Sequence, residues 1–473
     1  MNCLKTLAEG IPSIKLVESD VITALGSKKP SCGVCHSKRD KMYGCQQALI
    51  KADSETLAIL EYLCSEANKL TNCGIYYARQ MLLKTGHYVS KAELSKKLKA
   101  NMHFKAMRSC CSQQALHGVY ESFKSYRKLK KKWDKGNLPN KPQLPKYRKK
   151  GGMTVVTYPA RWVKQTGNNI KFPLGKQVQV WFGISYFELK APSNLDFSNV
   201  REIRILPRNG CFYVEYVYKC SDSKAKVNTN NALGIDSGLN NWLTCVSTTG
   251  KSFIIDGRKV KSQNQWYNKC VAKLKKGKPH AYWDWELADL TEKRNRQMRD
   301  AVNKSARFVI NWCLANNVGT IVFGWNKRNK DGVRLGKKNN QEFVQIPTAK
   351  LKNRIAQLCE QYGLQFIETE ESYTSKASFL DNDFLPNYGG KPEQWKPSGK
   401  RTKRGEYKTN KKRSMNADCN GASNILKKVS TQLGLDLTKV SRAVLTLPQR
   451  YRLDDLSKLY RSRCENACLQ TAS

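Results

Sequence analysis

Three acidic positions in this chain sit where carboxylates could do chemistry. Asp236 closes a short apolar run inside Gly234-Ile235-Asp236-Ser237-Gly238. Glu370 and Glu371 follow a second run in Glu368-Thr369-Glu370-Glu371-Ser372-Tyr373-Thr374-Ser375-Lys376. Asp418 opens a helical stretch in Asn416-Ala417-Asp418-Cys419-Asn420-Gly421. Carboxylates converging on one end of a sheet can hold two hard divalent cations about 3.5–4 Å apart. Such a pair stabilises both the attacking and the leaving oxygen of a phosphodiester cleavage. Each acid also has an ordinary reading: a strand-ending turn for Asp236, an N-cap for Asp418, a surface pair for the glutamates. Successive residues of an extended segment face opposite sides, so only one of Glu370 and Glu371 can point inward. Asp381 and Asp383, in a Phe-Leu-Asp-Asn-Asp-Phe-Leu-Pro loop, read as turn formers.

The elements that must position these acids are legible. Residues 232–236 form an apolar strand, followed at hairpin distances by 243–247 and 252–255, with Gly250 at the second turn. A long helix spans roughly 284–316, with Val302, Ala306, Val309 and Cys313 as its stripe. Then come a buried strand at 319–323, a helix at 346–362, a strand at 364–368 and a helix at 419–428. Three meander strands followed by helix, strand, helix, strand, helix is the order of an RNase H-like fold. The expected sheet order is third, second, first, fourth, fifth. No GxGxxG follows the first strand, which excludes a dinucleotide-binding reading, and there is neither a Walker loop nor an internal repeat. The fourth strand ends in Gly324 where such sheets would offer an acid. Neighbouring strands lie about 4.8 Å apart, so a carboxylate on the fifth can reach the same place.

The rest of the chain indicates the partner. Its 473 residues carry 84 Lys+Arg against 38 Asp+Glu, a formal net charge of +46. That surplus calls for a polyanion, and nucleic acid is the expected one. No apolar run reaches the ~18 residues of a membrane span, and the start lacks a secretory core. A cytoplasmic protein with its 17 cysteines mostly reduced is expected. Helices are expected over 54–85 and about 104–133. The second runs into a basic stretch, 124–150, with Tyr126, Trp133 and Tyr147 among Lys128, Lys130, Lys131, Lys132, Lys146, Arg148 and Lys149. Basic residues with interleaved planar side chains suit phosphate neutralisation and base stacking; a solvated helix face and charged linker is the plainer reading. From 175 the pattern turns to strands, in KQVQVWFGI, REIRIL and CFYVEYVYK, and 221–231 reads as a linker. The first fifty residues read as irregular. There Cys32, Cys35 and Cys45, with His36, could bind zinc or remain unliganded thiols.

Taken together, GIDSGLNNW, GWNKRNKDGVRLGKKNNQEFVQIP, TEESYTSKASFLDNDFLP and NADCNGASNI resemble TnpB, a family of transposon-encoded RNA-guided DNA nucleases related to type V CRISPR effectors. The resemblance spans roughly 50–428 and is to the branch whose catalytic Glu has moved to the Tyr-Thr-Ser-Lys motif. It implies Asp236, Glu371 and Asp418 as the acids, with two Mg²⁺, a guide RNA, a double-stranded DNA target and no membrane partner. It implies a multidomain α/β architecture. A β-barrel wedge domain (1–50 and 151–228) would hold a helical recognition domain (51–150). A RuvC-like nuclease domain (229–430) with a basic insertion at about 377–415 would follow, and then a C-terminal extension (431–473). Many relatives carry a zinc ribbon between the last two acids; residues 372–417 here contain no cysteine. Instead the segment is basic, and Arg401 and Arg404 are candidates for holding a substrate strand, with a disordered charged loop as the alternative; Lys376 could contact the scissile or an adjacent phosphate, or be a solvated lysine. Lys293, Arg296, Lys304 and Arg307 share a face of the long helix that could track a heteroduplex. An inactive guided binder and an RNase H-like strand transferase are the competing functions.

Overall fold

The computed structural model describes residues 42–220, 224–326 and 346–456. They form two compact units, divided near residue 221.

The first unit contains β1 (Tyr43–Leu49), α1 (Ser54–Thr85), α2 (Lys91–Leu98), α3 (Met102–Lys105), α4 (Ser109–Asp134), β2 (Val156–Pro159), β3 (Lys164–Thr166), β4 (Asn169–Pro173), α5 (Lys176–Phe182), β5 (Tyr186–Lys190), β6 (Val200–Arg208) and β7 (Cys211–Lys219). Asp53 starts α1 by accepting from the Thr56 N–H at 2.7 Å, and Gly86, left-handed at φ 68°, ends it. A Cβ on Gly74 would stand 3.0 Å from Leu116 and 3.2 Å from Val119, so this glycine sets how closely α1 and α4 approach. Two antiparallel sheets complete the unit, in the orders β1-β7-β6-β2 and β3-β4-β5.

Three expectations fail here. Residues 43–49 are not irregular but pair along β7, a long-range contact that local sequence does not encode. The helix expected over 104–133 is divided into α3 and α4. KQVQVWF is α5, not a strand. Its alternation would bury Val178 and Val180 together, whereas Val178 is buried and Val180 is 81% exposed. Gly175 and the left-handed Gly183 close the helix at both ends.

The second unit contains β8 (Ala232–Ser237), β9 (Asn241–Ser247), β10 (Lys251–Asp256), α6 (Arg258–Leu274), α7 (Trp285–Ala315), β11 (Thr320–Gly324), α8 (Thr348–Tyr362), β12 (Gln365–Thr369), β13 (Lys400–Lys403), β14 (Glu406–Lys408), β15 (Ser414–Asn416), α9 (Ala417–Leu433), α10 (Arg442–Thr446) and β16 (Gln449–Tyr451). The main sheet runs β12-β11-β8-β9-β10-β16. Its first five strands have the order expected of an RNase H-like sheet. The hairpins are antiparallel, and β11 lies parallel to both β8 and β12. A sixth strand from beyond residue 430 lies parallel to β10; nothing in the sequence pointed to it.

Side-chain parity divides the sheet. Leu233, Ile235, Ile321 and Phe323 share a core with Ala306, Val309 and Ile310 of α7 and with Leu351 and Ile355 of α8. On the other face Ala232 and Val322 pack against Ile425, Leu426 and Val429 of α9. Asp236 and Gly324 have the parity of that second face, so α9 is the element laid over them.

Candidate active site

Two glycines bring α9 onto Asp236. A Cβ on Gly234 would lie 2.6 Å from the Ala422 carbonyl, and one on Gly421 would lie 2.6 Å from Asp236 Oδ2. The Asp236 side chain keeps a partial opening to solvent, but its carboxyl is set in dense protein. Its pKa stands well above the ordinary carboxylate range, first through burial and then through the negative charges of Glu371 and Asp418. The three acids expected from the sequence are thus within electrostatic reach of one another.

Glu371 arrives from the loop after β12. Its carboxylate Oε2 is 3.4 Å from where a Cβ on Gly324 would be. Its N–H donates to Asn326 Oδ1 at 3.1 Å, and its carbonyl accepts from Thr374 Oγ1 at 2.8 Å. The loop is tied to α9 by two buried amides. Asn424 Nδ2 donates to the Thr374 and Ala377 carbonyls, each at 2.8 Å. Asn420 donates to the Ala377 carbonyl at 2.8 Å and accepts from the Phe379 N–H at 2.9 Å. Glu370 turns elsewhere and forms an ion pair with Lys428, whose side chain is 5% exposed. Burial pushes the Glu370 pKa up, but Lys428 and Ser372 hold it below the ordinary range.

Asp418 is not the N-cap of its helix. That place is taken by Asn416, whose Oδ1 accepts from the Asp418 and Cys419 N–H groups at 3.0 and 3.1 Å. Asp418 is therefore free of the capping role its position suggested, and its carboxylate turns to side chains. Oδ2 accepts from Asn241 Nδ2 at 2.6 Å, and Oδ1 from Arg401 Nη2 at 3.2 Å.

Arg401 is held there by folded structure. The basic insertion forms a three-stranded antiparallel sheet, β13-β14-β15, rather than a charged loop without structure. Asp381 Oδ2 accepts from Ser378 Oγ at 2.7 Å, Ser398 Oγ at 3.2 Å and the Asn410 N–H at 2.9 Å. Asp383 Oδ2 accepts from the Ser378 and Ser398 N–H groups at 2.7 and 3.0 Å. These two acids tie the insertion together, as turn formers would. Arg404 and Lys376 are exposed, and the Lys376 carbonyl accepts from Tyr407 OH at 2.7 Å.

Among the described residues, no three His, Cys, Asp or Glu stand as a ready metal cage. The bonds from Asn241 and Arg401 engage both oxygens of Asp418. The donor set nevertheless suits a hard divalent cation, being all carboxylate oxygen. A cation there would relieve the crowding of like charge at Asp236. Cys32 and Cys35 lie outside the described residues, while Cys45 is exposed on β1.

The other basic candidates divide. Lys128, Lys130, Lys131 and Lys132 are exposed toward the end of α4, as are Lys146, Arg148 and Lys149 beyond it. Residues 148–149 are strapped to α1: the Arg148 N–H donates to Asn72 Oδ1 at 2.7 Å, and Asn68 Nδ2 to the Lys149 carbonyl at 2.9 Å. On α7, Lys293 is exposed, 5.7 Å from the Trp266 ring centroid, and Arg296 is half-buried. Lys304 pairs with Asp300 at 2.6 Å. Arg307 packs on the Tyr362 ring and bonds its hydroxyl at 2.5 Å, which gives this residue an internal role that helical spacing alone did not reveal. Asn241, Asn420 and Asn424 were not singled out from the sequence. Asn416, Asn420 and Asn424 recur every fourth residue from the N-cap onward, and that asparagine stripe was the available signal.

Residues 215–330 match the sequence model of the OrfB_IS605 family, described as a probable transposase. The match includes Asp236 and stops short of Glu371 and Asp418. No curated protein matches the chain. Among solved structures, a Cas12f1–sgRNA–target DNA complex is 17% identical with a TM-score of 0.51, covering 79% of this chain and 83% of that one. That likeness is one of fold. A CRISPR-Cas12f ternary complex (16% identity, TM-score 0.31, 79% and 82% covered) and the mini-RNA-guided endonuclease CRISPR-Cas_phi3 (10%, 0.39, 82% and 92%) also match, at scores too low to add to it. The TnpB resemblance read from the sequence is borne out, residues 215–330 being similar to the OrfB_IS605 family of probable transposases.

Proposed function

We propose that the protein is an RNA-guided DNA endonuclease with Asp236, Glu371 and Asp418 as its acid site. The observation that carries this reading is the approach of carboxylates from a strand end, a loop and a helix start to within electrostatic reach, the Asp236 pKa being raised first by burial and then by Glu371 and Asp418. The net charge of +46 suits RNA and DNA together, and the fold neighbour is itself a complex of protein, sgRNA and target DNA.

When bound, two Mg²⁺ would activate water and stabilise the leaving oxygen. Asp236, Glu371 and Asp418 would hold them. Gly234 and Gly421 let α9 close over the site. Asn420 and Asn424 hold the Glu371 loop against that helix, and Arg401 brings a guanidinium to the edge where a phosphate would lie. Guide pairing would select the target, the protein reading a short flanking motif and duplex shape.

The test is expression with the native flanking DNA, sequencing of co-purified RNA, and a Mg²⁺-dependent cleavage assay on matching DNA. One discrete RNA with guided cleavage is expected. A discrete RNA without cleavage would establish the inactive binder, and DNA joining without RNA the strand transferase.

A further inference from the structure

The sixth strand of the main sheet carries a side chain toward the acid site. Arg450, at the centre of β16, is in register with Ile254 of β10. Its Nη1 donates to Asn241 Oδ1 at 2.8 Å and to Asp256 Oδ2 at 3.3 Å. Asn241 in turn donates from Nδ2 to Asp418 Oδ2 at 2.6 Å. Asp256 is 4% exposed, lies opposite Asn241 in the β9–β10 register, and also binds Arg258. The chain of contacts thus runs from a buried carboxylate through a guanidinium and an amide to an acid of the site.

The chemistry of this chain is directional. An amide has one accepting and one donating end. A guanidinium only donates and a carboxylate only accepts, so one orientation of Asn241 satisfies both neighbours and the flipped one opposes both. Arg450 therefore selects the orientation in which Asn241 presents its NH₂ to Asp418. That bond holds Oδ2 of the carboxylate, while Oδ1 accepts from Arg401.

We propose that Arg450 is a positioning residue for the acid site, acting through Asn241 to hold Asp418 in a cation-binding geometry. The inference rests on the reading of Asp236, Glu371 and Asp418 as cation ligands. It makes a segment beyond the family match a working part of the site. Outer partners of metal ligands commonly change metal affinity by roughly 10–100-fold.

The test uses the full chain with its co-purified RNA. Mn²⁺ binding is followed by electron paramagnetic resonance, with Asp236→Asn as the background for cations held by RNA, and the Mg²⁺ midpoint of cleavage is measured in parallel. Arg450→Gln and Asn241→Ala should each weaken site-specific Mn²⁺ binding about tenfold and raise the Mg²⁺ midpoint similarly. The double variant should be no worse than Asn241→Ala alone, and Arg450→Lys should recover part of the loss. Asn241→Ala leaves the Arg450–Asp256 pair intact, so it decides the question if the Arg450→Gln chain does not fold. A purely structural role would lower the melting temperature and leave Mn²⁺ affinity unchanged; that result overturns the inference. Wild-type protein binding no more Mn²⁺ than Asp236→Asn overturns the acid-site reading, and the inference with it.

Discussion

The carboxylate of Glu371 lies 3.4 Å from the point where a side chain on Gly324 would begin. The strand end that carries no acid is filled by an acid from the neighbouring strand's loop. Gly324 is thus a space rather than a loss. A Cβ there would also run into Ile425 of α9. Gly324→Ala should therefore destabilise the protein by about 1–3 kcal/mol through overpacking, measured by denaturant unfolding, and should reduce cleavage by displacing Glu371.

Glu370 and Glu371 have separate fates, and mutation should separate them. Glu370→Ala removes the partner of Lys428, whose side chain is 5% exposed. Breaking a fully buried pair costs about 3–5 kcal/mol. Glu370 is a third exposed and Lys428 keeps the Pro386 carbonyl, so about 2 kcal/mol is expected here. Cleavage below the melting transition should persist, because Glu370 does not face Asp236. Unchanged stability together with lost cleavage would reverse the two assignments.

Asn424 holds the Glu371 loop through two carbonyls, at Thr374 and Ala377. Asn424→Leu leaves the Thr374 carbonyl without this donor in a buried place, a loss of about 1–3 kcal/mol, while the Ala377 carbonyl keeps its bond from Asn420. The expected result is a lower unfolding midpoint together with a reduced cleavage rate at saturating Mg²⁺.

The sheet was legible because its signals are local. Short apolar runs at hairpin distances and Gly250 mark the β8–β9–β10 meander, and element order then constrains where β11 and β12 lie. The choice between Glu370 and Glu371 was not legible, since both lie past the last residue of β12, where strict alternation no longer applies. Asn416 was hidden as a cap by an acid two residues on that serves caps equally well. The Arg450–Asn241 bond joins residues 209 apart, a pairing that no periodicity announces. The failure at α5 has the opposite cause: a local pattern was read faithfully, but burial of Val178 alone does not require a strand.

The helical unit should show its own acid sensitivity. Glu66 is buried and accepts from Lys69 Nζ and His103 Nδ1, each at 2.7 Å. Burial pushes its pKa up, but these two partners outweigh that and hold it below the ordinary range. A depressed folded pKa contributes stability above the unfolded value, about 4.3 for Glu, that is lost as pH falls through the folded one. Glu66→Gln should therefore be less stable than wild type near neutral pH, with the gap closing below about pH 4. Thermal melts across pH would show this; a gap that widened on acidification would contradict it.

The central claim is that Glu371 completes the acid site begun by Asp236. Its most direct test is guide-directed cleavage by Glu371→Ala, beside measurement of RNA and target-DNA binding in the same preparation. The account predicts cleavage lost at every Mg²⁺ concentration with binding retained. Cleavage at the wild-type rate in that variant would contradict it.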